Sequence, residues 1–299
     1  MFTSSITYKL ALTQTLTILL FSISSVLCIA GETSEKKHLR TYLLLGQSNM
    51  VGWGDYSALD PKWAKAQEVN ARIHFCSKET GWKVSRLQPS RRTTDKPYKV
   101  KGTFGPEYSF VDSISKKHKN EDILFLKHAV GGTTLFAAWN KEWTLANARK
   151  VKEDRMEGKL RLYAALLQKI QVLQKYAREN GYTGIDIQSV VWVQGESDAI
   201  RAFTAKTYKA NLTQFIRNLR ADLPDADFRF IYLQVNSMKF PHIDAVRKAQ
   251  VELAHELKNT FVVKSSPVNR PEDFPKYDAV HYNKDGVINI GKALAEKSE

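Results

Sequence analysis

From residue 41 onward, short runs of apolar residues alternate with longer amphipathic stretches. Apolar runs of this length are typical of strands that are buried on both faces of a sheet. Five strands are predicted in this way, at residues 41–45, 123–129, 189–194, 228–234 and 260–264. A further apolar stretch at 72–77 is strand-like, and its lone Cys76 is predicted to be a core residue rather than a nucleophile.

Between these runs, apolar residues recur at spacings of three and four, which gives a helix one apolar face. Helices are predicted at residues 160–179, 208–223, 243–257 and 284–295. Buried strands that are separated by helices pair in parallel through right-handed crossovers. The pattern therefore predicts a three-layer α/β domain with a central parallel sheet of about five strands flanked by helices. Residues 31–299 contain no linker-like segment and are expected to form a single domain, with a polar loop at 81–102.

Residues 1–30 resemble a signal peptide rather than part of the domain. Lys9 precedes an apolar stretch, and Cys28 and Ala30 occupy the −3 and −1 positions of a cleavage site before Gly31. The stretch is too short and too rich in Ser and Thr for a typical membrane span. The sequence therefore predicts a secreted or periplasmic protein with no stable membrane insertion after cleavage, and the alternative is an uncleaved N-terminal anchor.

Composition narrows the class of protein and of partner. Of 299 residues, 43% are apolar and 25% charged, which excludes disordered and collagen-like chains. The formal charge is +14, but the basic residues are spread along the chain and no nucleic-acid-binding module is present. We therefore expect no nucleic-acid partner, and the charge is compatible with an anionic glycan.

Ligands of open parallel sheets bind at the carboxyl ends of the strands, so the residues that follow each apolar run are the candidates. Ser48 follows the first strand, where the chain must turn sharply toward a helix. Such a turn exposes a nucleophile and nearby backbone N–H groups, although a helix N-cap is the alternative interpretation. The glycines of Gly131-Gly-Thr133 follow the second strand and allow an N–H group to face a cleft.

Polar residues also follow the third strand and precede the last helix. In Gln194-Gly-Glu-Ser-Asp198, the side chains either bind substrate or cap the next helix, and Asp198 has the position of an N-cap. Near the C-terminus, Asp278 precedes His281 by three residues, so its carboxylate can accept the imidazole Nδ1–H and leave Nε2 as a base. The spacing of His and acidic residues does not match a metal site, and no metal or cofactor is predicted.

Four segments resemble the conserved blocks of the SGNH hydrolases. They are Gly46-Gln-Ser-Asn-Met50, Gly131-Gly-Thr133, Gln194-Gly-Glu-Ser-Asp198 and Asp278-Ala-Val-His281. More narrowly, they are similar to the sialate O-acetylesterase-like branch, which includes the acetylxylan esterases of carbohydrate esterase family six. The resemblance extends from residue 41 to about 295. It implies a flavodoxin-like fold and a metal-independent serine esterase that removes acetyl groups from sugars.

The resemblance also implies roles for individual residues. Ser48 is the expected nucleophile, His281 the base and Asp278 its partner, and the backbone N–H groups of Ser48 and Gly132 are expected in the oxyanion hole. The third donor is less clear, because Ser197 stands where the superfamily has an Asn, and the narrower branch points to Gln194. Contacts to substrate are expected from Gln47, Asn49, Glu196 and Trp139.

The expected function is thus a secreted serine esterase acting on an acetylated oligo- or polysaccharide. Two alternatives remain open: a catalytically silent carbohydrate-binding protein on the same fold, with Trp53, Trp139 and Trp143 as sugar platforms, and a lipid esterase or thioesterase. The sequence determines neither the acetylated sugar nor the oligomeric state.

Overall fold

A sheet of seven strands forms the centre of the protein. The structure is a computed structural model that describes residues 37–61, 63, 72–89, 102–153, 160–267 and 273–299. Its strands are β1 (Leu39–Gly46), β2 (Gly54–Asp55), β3 (Ile73–Cys76), β4 (Val84–Ser85), β5 (Thr103–Phe104), β6 (Ile123–Ala129), β7 (Ile185–Val193), β8 (Arg229–Leu233) and β9 (Thr260–Val263). The predicted signal peptide and residues 90–101 of the predicted polar loop lie outside the described residues.

The strand order of the large sheet is β4-β3-β6-β1-β7-β8-β9. The five predicted strands are the contiguous block from β6 to β9, and all of them pair in parallel. Beyond this block, β3 continues the parallel pairing and β4 joins it antiparallel. The sheet is therefore wider than the five predicted strands. Strand β3 lies in the strand-like stretch at 72–77, whereas the two-residue edge strand β4 leaves little hydrophobic signal in a sequence. A separate antiparallel pair is formed by β2 and β5.

Helices cover both faces of this sheet. They are α1 (Ser48–Val51), α2 (Glu107–Lys117), α3 (Leu145–Lys150), α4 (Leu162–Glu179), α5 (Ala202–Asp222), α6 (Ile243–Glu256) and α7 (Lys284–Lys297). Alternate residues of β1 show the two faces: Leu43 and Leu45 pack in a core cluster with α4, α5 and α6, whereas Tyr42 and Leu44 pack in another with α2 and α7. This arrangement confirms the predicted three-layer α/β fold.

Two details qualify the sequence predictions. Helix α5 begins at Ala202, six residues before the predicted start, because the buried positions of its first turns are Thr204 and Ala205, which carry little apolar signal. Cys76 is fully buried, as predicted, and burial raises the pKa of its thiol to about 11. None of the helices in the described ranges is both long and apolar enough to cross a membrane.

Candidate active site

The turn after β1 depends on Gly46, which adopts a φ of +151°. A Cβ atom at this position would lie 2.2 Å from the carbonyl oxygen of Val193, so only glycine lets β1 approach the end of β7 this closely. The next residue, Gln47, donates its backbone N–H to the same carbonyl at 2.9 Å. The chain then turns directly into the short helix α1.

Ser48 is the first residue of α1 and is 7% exposed. The backbone N–H groups of Met50 and Val51 bond to the carbonyl of Gln47, and that of Gly52 bonds to the carbonyl of Ser48. The first N–H groups of any helix have no acceptor within it. The position of Ser48 therefore combines a hydroxyl at a strand end with a backbone N–H that can donate to a substrate.

The loop before α7 brings Asp278 and His281 into contact. Oδ2 of Asp278 lies 3.0 Å from Nδ1 of His281, and Oδ1 accepts the backbone N–H groups of Val280 and His281, each at 2.7 Å. One carboxylate thus holds both the loop backbone and the imidazole. On another side, the ring of Trp53 lies with its centroid 4.5 Å from that of His281. The contact through Nδ1 leaves Nε2 as the ring nitrogen for a reacting hydroxyl.

Asn49 connects the turn of Ser48 to the loop of His281. Its Nδ2 donates to the carbonyl of Val280 at 3.2 Å, and its Oδ1 accepts the backbone N–H of Tyr282 at 3.4 Å. Val280 and Tyr282 are the two neighbours of His281. The residue that follows Ser48 is therefore bonded on both sides of the histidine, although the two segments are more than 220 residues apart.

Two ionisable side chains, Glu196 and Lys276, lie near the contact between Asn49 and the loop of His281. Glu196 is 2% exposed, and burial raises the pKa of its carboxyl above the usual range. Its Oε1 accepts Nδ2 of Asn49 at 2.5 Å, while its Oε2 has no hydrogen-bond partner among the described residues. Lys276 donates to the carbonyl of Asn236, and burial lowers the pKa of its ammonium to about 8.

The segment after β6 carries the predicted backbone donor. Gly132 is exposed, has a φ of +72°, and would have open space around an added Cβ. Beside it, Thr133 is fixed through both of its oxygens. Its hydroxyl donates to the carbonyl of Val130 at 2.7 Å, and its own carbonyl accepts Nε2 of Gln194 at 3.1 Å. The N–H of Gly132 is thus carried by a left-handed residue next to a fixed neighbour.

Gln194, the expected third oxyanion donor, is fully buried. Its Nε2 lies 3.1 Å from the carbonyl of Thr133 and 2.5 Å from Oδ2 of Asp198. These two acceptors account for both N–H bonds of the amide, so Gln194 donates to an oxyanion only if one of them is given up. The alternative donor, Ser197, is 5% exposed, and its backbone N–H bonds to Oε1 of Gln47 at 3.3 Å.

Of the four predicted substrate contacts, Trp139 requires correction, and the other three lie inside the protein. Gln47, Asn49 and Glu196 are each at most 2% exposed and bond to other parts of the protein, so they brace the site from within. Trp139 is completely buried, with its ring centroid 4.9 Å from that of Trp192. It therefore presents no ring face to a sugar. Aromatic side chains fill cores as well as binding sites, so the sequence pattern alone did not separate the two.

Sequence reasoning also missed the roles of two acidic residues. The position of Asp198 suggested a helix cap, but its carboxylate accepts the backbone N–H groups of Leu135 and Phe136 at 2.8 and 3.2 Å. Glu153 accepts the N–H groups of Thr134 and Ala138. No local signal marks Glu153, because its partners lie 15 and 19 residues upstream. Within the described ranges, no group of three or more His, Cys, Asp or Glu residues is arranged to hold a metal ion.

Known proteins share this fold. The chain is 27% identical over 267 residues to the probable carbohydrate esterase At4g34215 of Arabidopsis thaliana, covering 85% of this chain and 88% of the relative. The crystal structure of that protein superposes with a TM-score of 0.64 at 23% identity, over 87% of this chain and 97% of the other. The structure of NanS has a TM-score of 0.61 at 13% identity, over 88% and 97% of the two chains.

A carbohydrate acetylesterase of Xanthomonas citri, XAC1771, has a TM-score of 0.56 at 20% identity, over 86% of this chain and 55% of that one. At these identities the solved structures show the shared fold. The family assignment rests on the sequence itself, because the family model described as carbohydrate esterase, sialic acid-specific acetylesterase, matches residues 38–299. The chain therefore belongs to this carbohydrate esterase family and is a carboxylic ester hydrolase, as the resemblance of its motifs predicts.

Proposed function

We propose that this protein is a serine esterase that removes O-acetyl groups from a carbohydrate, with Ser48 as nucleophile, His281 as general base and Asp278 as the partner of His281. The observation that carries the proposal is the double contact of Asn49 with the two neighbours of His281. This contact fastens the turn of Ser48 to a loop in which Asp278 already orients the imidazole at 3.0 Å. Family membership supplies the class of substrate.

In the proposed reaction, Nε2 of His281 takes the proton of the Ser48 hydroxyl as Oγ attacks the acetyl carbonyl carbon. The carbonyl oxygen becomes an oxyanion and accepts the backbone N–H groups of Ser48 and Gly132. The C–O bond to the sugar then breaks, and the sugar alkoxide leaves with the proton from His281. Water, deprotonated by the same nitrogen, attacks the acetyl-enzyme and releases acetate and Ser48.

The assay that tests this proposal measures acetate release from acetylated xylan, acetylated pectin, O-acetylated sialic acid and simple aryl acetates. We expect at least one acetylated sugar to be hydrolysed, and we expect Ser48→Ala to abolish release. The matched control is Ser115→Ala, because among the described residues the Ser115 hydroxyl bonds the carbonyl of Asp112, within α2. A Ser48→Ala protein that releases acetate at the wild-type rate would remove Ser48 from the proposal.

The same assay separates the alternatives. A lipid esterase or thioesterase would prefer aryl esters of longer acyl chains over the acetate. A silent binding protein would retain affinity for acetylated glycans while the wild type and Ser48→Ala behave identically. The proposal requires preference for acetate and a difference between the two proteins.

We further propose that the enzyme acts after export and removal of residues 1–30. What supports this is the pattern of Lys9, the apolar stretch after it and the small residues Cys28 and Ala30. N-terminal sequencing of protein recovered outside the cytoplasm should start at Gly31. A mature protein that retains Met1 would contradict the cleavage.

A further inference from the structure

The five residues after Thr133 form an irregular segment whose backbone N–H groups all bond to side chains. Thr134 N donates to Oε1 of Glu153 at 2.6 Å and Ala138 N to Oε2 at 3.0 Å. Leu135 N donates to Oδ2 of Asp198 at 2.8 Å and Phe136 N to Oδ1 at 3.2 Å, while Ala137 N donates to the hydroxyl of Thr134 at 3.1 Å. Two carboxylates thus take the N–H groups that a helix or sheet would otherwise satisfy.

Both carboxylates are inside the protein. Asp198 is 0% and Glu153 is 4% exposed, and burial raises their pKa values to about 6 and about 7. Burying a carboxyl group is costly unless its oxygens are bonded. Here each carboxyl holds two backbone N–H groups, and such charge-assisted bonds are the stronger kind. The two side chains reach the segment from different places in the chain, Asp198 from the end of β7 and Glu153 from the region after α3.

The hold extends to Gly132 through Gln194. Oδ2 of Asp198 also accepts Nε2 of Gln194 at 2.5 Å, and the same Nε2 donates to the carbonyl of Thr133 at 3.1 Å. This carbonyl is one peptide from Gly132. Gly132 itself is exposed and left-handed, and no described residue lies within 4 Å of an added Cβ. The orientation of its N–H therefore depends on the residues on both sides of it: Val130, whose carbonyl accepts the Thr133 hydroxyl, and the held segment that follows Thr133.

We infer that Asp198 and Glu153 are positioning residues that fix the backbone N–H of Gly132 in the direction of the oxyanion. The inference rests on the proposed function, and it concerns residues that touch no substrate atom. A donor that is preorganised contributes in the transition state far more than one that must be reoriented during the reaction. Loss of the hold should therefore weaken oxyanion binding while leaving substrate binding unchanged.

The test compares the wild type with Asp198→Asn, using methylboronic acid as a probe. A lone pair of the serine Oγ forms a B–O bond to the trigonal boron while the hydroxyl proton passes to the histidine. The product is a tetrahedral anion that resembles the oxyanion intermediate. Asp198→Asn replaces one acceptor by an NH₂ group that faces a backbone or amide N–H. We expect kcat to fall by about tenfold, which is less than the loss of about 10²–10³ for a deleted oxyanion donor. The Ki for methylboronic acid should rise by a similar factor.

KM should stay within about twofold, because the lost interaction belongs to the transition state. Ki and KM do not depend on the fraction of protein that is correctly folded, so a smaller folded fraction alone would leave both unchanged. The matched control is Asp222→Asn. Asp222 pairs with Lys141, three residues after this segment, at 2.7 Å and also accepts the hydroxyl of Tyr163 at 2.7 Å. The variant therefore removes a carboxylate that holds the chain beyond the segment and leaves the residues next to Gly132 untouched.

Two outcomes overturn the inference. One is an unchanged Ki for Asp198→Asn in an enzyme that methylboronic acid inhibits and Ser48→Ala inactivates. The other is an equal rise in Ki for Asp222→Asn. If Asp198→Asn does not fold, Glu153→Gln decides by the same two criteria. Failure of the proposed function looks different, since the wild type would then be insensitive to methylboronic acid or Ser48→Ala would retain activity.

Discussion

At the scale of single residues, the side chain of Asn49 connects three parts of the site. It bonds the loop of His281 twice and also donates to the buried carboxyl of Glu196. Its neighbours in the chain are therefore fixed relative to His281 by one side chain. Local motif reasoning assigned Asn49 to substrate because the partners of its amide are distant in sequence.

Asn49→Ala tests this role. The variant leaves Glu196 buried without its donor, so the free energy of unfolding should fall by about 1–3 kcal/mol. Because Ser48 and His281 lose their common brace, kcat should fall more than KM changes. Urea unfolding and steady-state kinetics measure the two effects. Asn211→Ala serves as the control, because it removes a bond to Thr207 on the surface of α5. An equal effect of both variants on kcat would contradict the proposed bracing by Asn49.

Alanine variants of two glycines separate the effect of backbone strain on stability from an effect on catalysis. Gly132 and Gly81 have φ values of +72° and +64°, and both have open space around an added Cβ. Replacement by alanine should lower the free energy of unfolding by about 1–2 kcal/mol in each case, because both residues keep a left-handed backbone. Only Gly132→Ala should also lower kcat, because any partial relief of this strain turns the N–H that is proposed to bind the oxyanion. Equal kcat of the two variants would contradict this effect of strain on the reaction.

At the scale of elements, the turn of α1 rests on a buried ion pair. Lys127 of β6 lies 2.7 Å from Glu107 of α2 and donates to the carbonyl of Val51 at the end of α1 at 2.9 Å. Glu107 also accepts the backbone N–H of Gly105. Strand β6 and helix α2 therefore meet at the end of the helix that begins with Ser48.

Lys127→Met should destabilise the protein by about 3–5 kcal/mol, because Glu107 is left buried without its counter-charge. The double variant Lys127→Met with Glu107→Gln should recover part of this loss, since no buried charge is then unpaired. Denaturant unfolding of the single and double variants provides the measurement. A single variant as stable as the wild type would mean that the pair carries no stability.

The elements themselves were largely predictable. Strands β6, β1, β7, β8 and β9 and helices α4 to α7 follow from periodicity because each is long enough to bury a regular apolar set. The misses differ in cause. Strand β4 has only two residues, and the first turns of α5 bury Thr204 and Ala205, which carry little apolar signal. Helix α2 does bury apolar residues, but the sequence analysis did not predict it.

At the scale of the whole molecule, the site is assembled from segments that the fold brings to one edge of the sheet. The sequence could indicate Ser48, Gly132, Asp278 and His281, because each stands in a short motif at a strand end or loop. It could not indicate how Asp198 and Glu153 act, since they bond a segment 15 to 63 residues away. The catalytic roles of Ser48, His281 and Asp278 are predictions that the variants test.

Burial of Asp198 should give the whole protein a distinctive pH dependence. The folded pKa of about 6 exceeds the ordinary value of 3.8, so the folded state binds the proton more tightly than the unfolded state. Its contribution to stability is therefore full below about pH 4 and is lost as pH rises to about 6, by up to about 3 kcal/mol. Between pH 4 and 7, urea unfolding should show wild type losing stability relative to Asp198→Asn. A difference between the two proteins that is constant with pH would contradict this.

The central claim is that Ser48 and His281 act together on one substrate. It is tested most directly by treating the protein with diethyl p-nitrophenyl phosphate and locating the diethylphosphoryl group by mass spectrometry of peptides. We predict a single adduct on Ser48 in the wild type, and labelling that is slower by at least about 10² in His281→Ala, because the base that activates the hydroxyl is absent. An adduct on another residue, or labelling at the same rate in the variant, would contradict the account.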